Sequence, residues 1–264
     1  MKVVIFAGGL GTRLSEETEN RPKPMVEIGD QPILWHIMKI FSHYGLNDFV
    51  VCGGYKRSHI HDYFANFLQR GSDVTFHIDN DEMKMTVHRP PRERWNVTLV
   101  DTGLRTMTAG RLAMVKDYVG EDDFCLTYGD GLADVDLRAL IAFHKTHNKA
   151  ATVTAIQPSG RFGALDIKGE AVTEFVEKPV GDRNWINGGF FVLKPEVFKF
   201  LPENPAPEMW EGSPMRNLAE AGQLQAYKHR GFWHAMDTLR DKKYLDELYE
   251  QGNAPWVVWD DGRI

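Results

Sequence analysis

Three glycines within four residues, Gly8, Gly9 and Gly11, are followed at once by Thr12 and Arg13 and then by Pro22-Lys23-Pro24. That order suits phosphate chemistry. Glycines remove the Cβ atoms that keep a polyanion away from backbone N–H groups, and a helix starting just after the loop would add the positive end of its dipole. Arg13 supplies a planar fork and Lys23 a point charge. The two prolines hold Lys23 in a stiff, non-helical segment. Read without these cations, the glycines could do no more than turn the chain. The spacing departs from two common phosphate loops: Leu14 stands where the dinucleotide fingerprint needs its third glycine, which disfavours a nicotinamide oxidoreductase, and no Gly-Lys-Ser/Thr follows.

Two aspartates are candidates for a metal. Asp130 lies between Gly129 and Gly131 after the apolar run 124–128, and Asp237 directly precedes a helical pattern. Asp130 could also be a turn former, and Asp237 only a helix N-cap. Mg²⁺ takes one or two carboxylates and completes its octahedron with water and substrate phosphate, so a converging pair would serve it. Glu177-Lys178-Pro179 and Asn187-Gly188-Gly189 read either as strand-end turns or as a sugar-phosphate site, with Lys178 on the phosphate and Glu177 and Asn187 on hydroxyl groups. The histidines lack metal-ligand spacing; His36, His43, His59, His61 and His144 fall on predicted helices as surface or packing residues. No Ser-His-Asp or Cys-His order suggests a covalent nucleophile.

The elements that would position these groups alternate. A strand at 3–7, a helix over 32–44 and a strand at 48–52 form a βαβ crossover, which implies a parallel sheet. A helix over 59–68, with Ile60, Phe64, Phe67 and Leu68 inward, short strands at 73–78, 84–88 and 95–100, a helix over 108–119, a strand at 124–128, a helix over 137–147 and a strand at 151–156 follow. The fold expected is α/β, a Rossmann-like doubly wound, mixed but mainly parallel sheet, with ligands at the carboxyl ends of its strands. The 89–94 segment, Arg-Pro-Pro-Arg-Glu-Arg, reads as an exposed loop, a subunit contact or a flap. Beyond Pro158 the strands shorten; Ser213-Pro214 caps a short helix, and a closing helix runs over 238–250. One domain is expected over 1–264, with a nucleotide-binding half near 1–157 and a smaller, β-rich sugar-phosphate half over 158–264.

At 264 residues and 42% hydrophobic content the chain can bury a sizeable core. A net charge of -6 leaves no footprint for nucleic acid or an anionic membrane, so an anionic ligand must be held by local cations. Cys52 and Cys125 both sit in apolar runs and read as buried thiols, which fits a cytoplasmic protein. No run has the length of a membrane span.

The paired stretches Gly-Gly-Leu-Gly-Thr-Arg-Leu at 8–14 and Pro-Lys-Pro at 22–24 resemble the signature of the sugar-1-phosphate nucleotidylyltransferases. Similarity to the cytidylyl branch extends through 33–39, Trp-Asn-Val-Thr-Leu-Val-Asp-Thr-Gly at 95–103, Thr-Tyr-Gly-Asp-Gly at 127–131, 160–167 and Met-Asp-Thr-Leu-Arg-Asp at 236–241. Ser15-Glu16-Glu17-Thr18 stands where thymidylyl and uridylyl relatives usually carry Pro-Leu-Thr. The resemblance implies that Phe6, Ala7, Gly8, Gly9, Leu10, Gly11, Thr12 and Arg13, with Lys23, bind CTP. It also places Thr106, Arg111 and Gly129 at the nucleotide, Asp130 and Asp237 on Mg²⁺, and Glu177, Lys178, Asn187 and Gly188 at the sugar phosphate. The implied reaction joins CTP to a sugar 1-phosphate, glucose 1-phosphate in that branch, with Arg13, Lys23 and Asp130 as its catalytic groups, in a homo-oligomer. A catalytically silent sugar-nucleotide sensor and a transferase for another sugar or small phosphate are the alternatives.

Overall fold

A computed structural model of the chain describes residues 1–158, 164–168, 170–176 and 185–259. All five residues of the strand Val3–Ala7 are buried, as a strand covered on both faces must be. Val3, Ile5 and Ala7 enter one apolar cluster and Val4 and Phe6 another, because successive side chains leave a pleated strand on opposite sides. Helix Ile33–His43 fills the first cluster with Ile33, Leu34, Ile37, Met38, Ile40 and Phe41, while helix Thr108–Met114 covers the second through Leu112. Helices therefore lie on both faces of one sheet.

Val3–Ala7 pairs in parallel with Asp48–Gly53 and with Phe124–Tyr128, and Asp48–Gly53 pairs in parallel with Asn96–Asp101. This is the expected doubly wound α/β core. On the other flank Ala151–Ile156, the next strand in sequence, does not pair with Phe124–Tyr128. Phe191–Leu193 is inserted between them, antiparallel to both, and Leu224–Lys228 adds a parallel partner to Ala151–Ile156. The result is a mixed, mainly parallel sheet of eight strands among the described residues. Its second-half ladder breaks at Gly188-Gly189-Phe190, where Gly189 (φ 74°) and Phe190 (φ 44°) adopt the left-handed region, and resumes at Ile186–Asn187. The break lies opposite Thr154, whose N–H donates to the Gly189 carbonyl and whose carbonyl accepts from Gly188 N–H, so that Asn187 faces Ala155 near the carboxyl end of Ala151–Ile156.

Three differences from the sequence reading have local causes. The 59–68 helix is two pieces, Ser58–Ala65 and Phe67–Arg70; Tyr63, one turn on from Ile60, is buried in the first, and the break at Asn66 resets the helical phase, so Leu68 is 51% exposed. The 108–119 helix likewise breaks at Val115. Ser213 is the first residue of its helix rather than a cap, and its hydroxyl donates to Glu208.

Beside the sheet, the described residues form a two-residue ribbon, Glu27–Ile28 with Gln31–Pro32, and three longer ones. Gly131–Ala133 pairs with Trp233–Ala235, and Ala164–Lys168 with Ala171–Val176. The third, Val74–Asp79 with Glu82–Val87, places Phe76 opposite Met85 and Ile78 opposite Met83, an apolar row with Ile78 75% and Met83 67% exposed. No described helix is long and apolar enough to cross a membrane. Cys52 and Cys125 are buried free thiols whose pKa values burial pushes up to about 12.

Candidate active site

The chain leaves Ala7 at the carboxyl end of the central strand and turns through Gly8–Gly11, with Gly11 at φ 66°. A side chain there would be strained and would meet Thr18 Cγ2 at 2.8 Å. Buried Thr18 fixes the loop by donating to the carbonyls of Gly11 (3.0 Å) and Leu14 (2.9 Å). The helix expected after the loop is reduced to the turn Thr12–Leu14 and the four residues Ser15–Thr18. Aligned peptide dipoles are therefore few, and the positive field falls mainly to side chains.

Those side chains meet. Lys23 Nζ donates to Asp130 Oδ2 at 2.6 Å and to Asp237 Oδ1 at 2.8 Å, while Arg13 Nη1 reaches Asp237 Oδ2 at 2.9 Å. Arg13 is 73% exposed and free to turn, whereas Lys23 is only 10% exposed. Burial alone would lower the pKa of Lys23, but the charges and hydrogen bonds of Asp130 and Asp237 outweigh it and raise it. The ammonium is thus charged throughout neutral pH, and its charge is lost as pH rises through that raised value.

The two aspartates arrive from opposite ends of the chain by way of one ribbon. Ala235 faces Gly131 in the Gly131–Ala133 and Trp233–Ala235 pair, and Met236 N–H donates to the Asp130 carbonyl at 2.8 Å, setting Asp237 beside Asp130. The N-cap of helix Leu239–Glu250 is Thr238, in a reciprocal capping box with Asp241, so the Asp237 carboxylate is not consumed as a cap. His234 further holds Asp241 at 3.1 Å. Thr238→Ala is expected to cost about 1 kcal/mol of stability by removing the cap, read as a shifted urea midpoint with unchanged slope.

A cavity of about 640 Å³ opens over the loop, Lys23 and Asp130, lined by Phe6 to Arg13, Lys23, Thr106, Arg111, Tyr128, Gly129 and Asp130, with Asp237 behind this lining at Lys23 and Arg13. Leu104 and Met107, both exposed, form an apolar side wall. Gly129 lets two strand ends touch: its N–H donates to the Phe6 carbonyl at 2.9 Å, and a Cβ would lie 2.8 Å from that oxygen. Arg111 is 3% exposed, with Nη2 on the Gly8 carbonyl at 2.9 Å and Nη1 on the Gly53 carbonyl at 3.2 Å and on Thr102 Oγ1. Burial lowers its pKa. Its guanidinium braces the glycine loop from below. Residues 205–208 hold its helix: Met107 N–H donates to Ala206 O and Ala109 N–H to Glu208 O.

Asn187 and Gly188 do not line this cavity; they stand one side chain away. Asn187 Nδ2 donates to Tyr128 OH at 3.0 Å, and Trp233 Nε1 donates to the Gly188 carbonyl at 2.7 Å. Burial, then the charge of Glu211, pushes the Tyr128 phenol upward, so it is a neutral hydroxyl. Tyr128 and Trp233 were not singled out by sequence reasoning; Tyr128 carried a signal in its place just before Gly129-Asp130. Glu177 and Lys178 lie outside the described residues.

A site with a glycine loop, two cations and two carboxylates can hold a polyphosphate and a divalent ion. Among the described residues no group of three or more His, Cys, Asp or Glu could hold a metal. A pair of carboxylates within reach of one cation fits an ion that draws its other ligands from water and phosphate.

Comparison with known proteins agrees with this geometry. The family model described as nucleotidyl transferase matches residues 2–261. The chain is 58% identical over 261 residues to the glucose-1-phosphate cytidylyltransferase of Salmonella typhimurium, covering 98% of this chain and 100% of that one. It is 28% identical to a mannose-1-phosphate guanyltransferase of Schizosaccharomyces pombe over 93% of this chain and 62% of that protein. A UDP-glucose pyrophosphorylase from Acinetobacter baumanii superposes with a TM-score of 0.67 at 18% identity, over 97% of this chain and 95% of that one, a likeness of fold. A phosphate-type loop closed by two convergent aspartates, together with similarity along nearly the whole length, establishes that the chain belongs to the nucleotidyl transferase family.

Proposed function

We propose that the protein transfers a cytidylyl group from CTP to α-D-glucose 1-phosphate, giving CDP-glucose and pyrophosphate. The observation that carries the transfer chemistry is the meeting of Asp130 and Asp237 at Lys23 beside Arg13. The choice of CTP and of glucose 1-phosphate is supported by the 58% identity to a glucose-1-phosphate cytidylyltransferase.

In this reading the backbone N–H groups of the 8–13 loop receive the triphosphate, and Thr106, Arg111 and Gly129 shape the nucleotide end. Asn187 and Gly188 bind the sugar phosphate on the far side of Tyr128, and Glu177 and Lys178 are assigned to the same substrate, so that the 1–157 and 158–264 parts each bind one substrate. A phosphate oxygen of the sugar 1-phosphate attacks the α-phosphorus of CTP as the bond to pyrophosphate breaks, with no covalent enzyme intermediate. Positioning and charge neutralisation supply the rate. Arg13 and Lys23 neutralise the transferring and leaving phosphates. Mg²⁺ held by Asp130 and Asp237 would add Lewis-acid stabilisation of the phosphoryl oxygens. A matrix of CTP, UTP, dTTP and GTP against a panel of sugar 1-phosphates, scored by pyrophosphate release, tests the assignment. Preference for CTP with glucose 1-phosphate is expected; absence of release with every pair would leave a binding protein.

The ribbon at Val74–Asp79 and Glu82–Val87 supports a homo-oligomer. A lone two-stranded ribbon is marginal in water, and the Phe76, Ile78, Met83, Met85 row is left exposed by the described residues. A second copy is the proposed cover. Ile78→Lys with Met83→Lys is expected to yield smaller particles in sedimentation velocity, with unchanged circular dichroism. The two buried free thiols fit a reducing cytoplasm.

A further inference from the structure

We infer that Lys23 is an exchangeable stand-in for the metal: in the ligand-free protein its ammonium holds the two carboxylates, and it yields them to a competing metal ion, most readily to one that arrives with a nucleotide whose phosphates accept the ammonium. This inference rests on the proposed metal role of Asp130 and Asp237. Lys23 Nζ takes one oxygen of each aspartate, at 2.6 and 2.8 Å, so it occupies the position between them that a bridging cation would need. Arg13 holds the other oxygen of Asp237.

The arrangement balances charge. Without a cation between them, two neighbouring carboxylates in a partly buried site would repel, so the lysine keeps the empty site assembled. The same contact blocks a metal that comes alone, which must displace an ammonium making two charge-assisted hydrogen bonds. A triphosphate offers the ammonium replacement acceptors. Lys23 follows Pro22 and precedes Pro24, and its backbone is fixed in the turn Lys23–Met25. Only its side chain has to swing, over a distance set by its own flexible stem. Metal and nucleotide binding are thereby coupled through one side chain, with the lysine trading partners rather than adding a charge.

The test is direct titration with Mn²⁺, following the free ion by electron paramagnetic resonance, on the full chain without nucleotide. Lys23→Met is expected to bind Mn²⁺ at least about tenfold tighter than wild type, because the fraction of competent site rises when the competing cation is removed. Equal or weaker binding by a Lys23→Met protein with a wild-type circular dichroism spectrum would overturn the exchange. Asp130→Asn separates this failure from failure of the underlying site: Mn²⁺ binding that it abolishes keeps the metal assignment, whereas Mn²⁺ binding that it leaves intact removes both. A measurement on wild type guards against a variant that does not fold. Acetylation of Lys23, read by mass spectrometry, is expected to speed up at least about threefold when Mn²⁺ saturates the nucleotide-free protein, an exposed fraction that grows as the amine is displaced. An unchanged rate contradicts the displacement.

Discussion

Asp130→Asn is expected to lower pyrophosphate release from CTP by at least about a thousandfold, roughly 4 kcal/mol of transition-state stabilisation, while the protein stays folded. The side chain differs by one charge and keeps its shape. The backbone contact that joins the ribbon, Met236 N–H to the Asp130 carbonyl, does not involve the carboxylate. What is lost is one of the two anionic partners of Lys23 and one of the two carboxylates offered to the metal. Fold and chemistry are thus separable at this position: thermal melting reports the first, steady-state turnover the second. Turnover near wild type would remove Asp130 from the reaction.

Gly8→Ala carries the second large effect, by a different route. A Cβ on Gly8 would lie 2.1 Å from Arg111 Nη1 and 2.2 Å from its Cζ, far inside contact distance. The guanidinium cannot step aside cheaply, because it is buried and bonded to Gly8 O, Gly53 O and Thr102 Oγ1. Each hydrogen bond to a charged group contributes about 1.5–3 kcal/mol, and overpacking adds about 1–3 kcal/mol. The loop is expected to shift, raising the CTP KM and lowering kcat/KM at least about a hundredfold, with a lower melting temperature. Gly9 gives the stability contrast. A Cβ there meets nothing within 4 Å, so Gly9→Ala is expected to melt with the wild type.

These two residues also show what the sequence made legible. Gly8 sat in a recognisable loop because absent Cβ atoms and nearby cations leave a local pattern. Its partner Arg111 was expected at the nucleotide; it lines the cavity, yet its bonds run beneath the loop to backbone carbonyls, which no local pattern encodes. Asp237 was ambiguous between a metal ligand and a helix cap, and the Thr238 and Asp241 capping box one residue on takes away the second of these.

The parallel core from Val3 to Asp101 followed from alternation of apolar strands and amphipathic helices. The insertion of Phe191–Leu193 between Phe124–Tyr128 and Ala151–Ile156 did not. Strand periodicity tells which faces are buried and is silent about which neighbour supplies the hydrogen bonds. Leu68 was misplaced for a related reason, since a helix broken at Asn66 loses the phase that its sequence appears to keep.

The central claim is that Asp130 and Asp237 work as one device around a single bound cation and triphosphate. A double-mutant cycle on turnover tests it most directly. If the pair acts as a unit, Asp130→Asn with Asp237→Asn falls within about threefold of the worse single variant, since removing either partner already disables the site. Losses that multiply would mean two independent roles, and would contradict the claim.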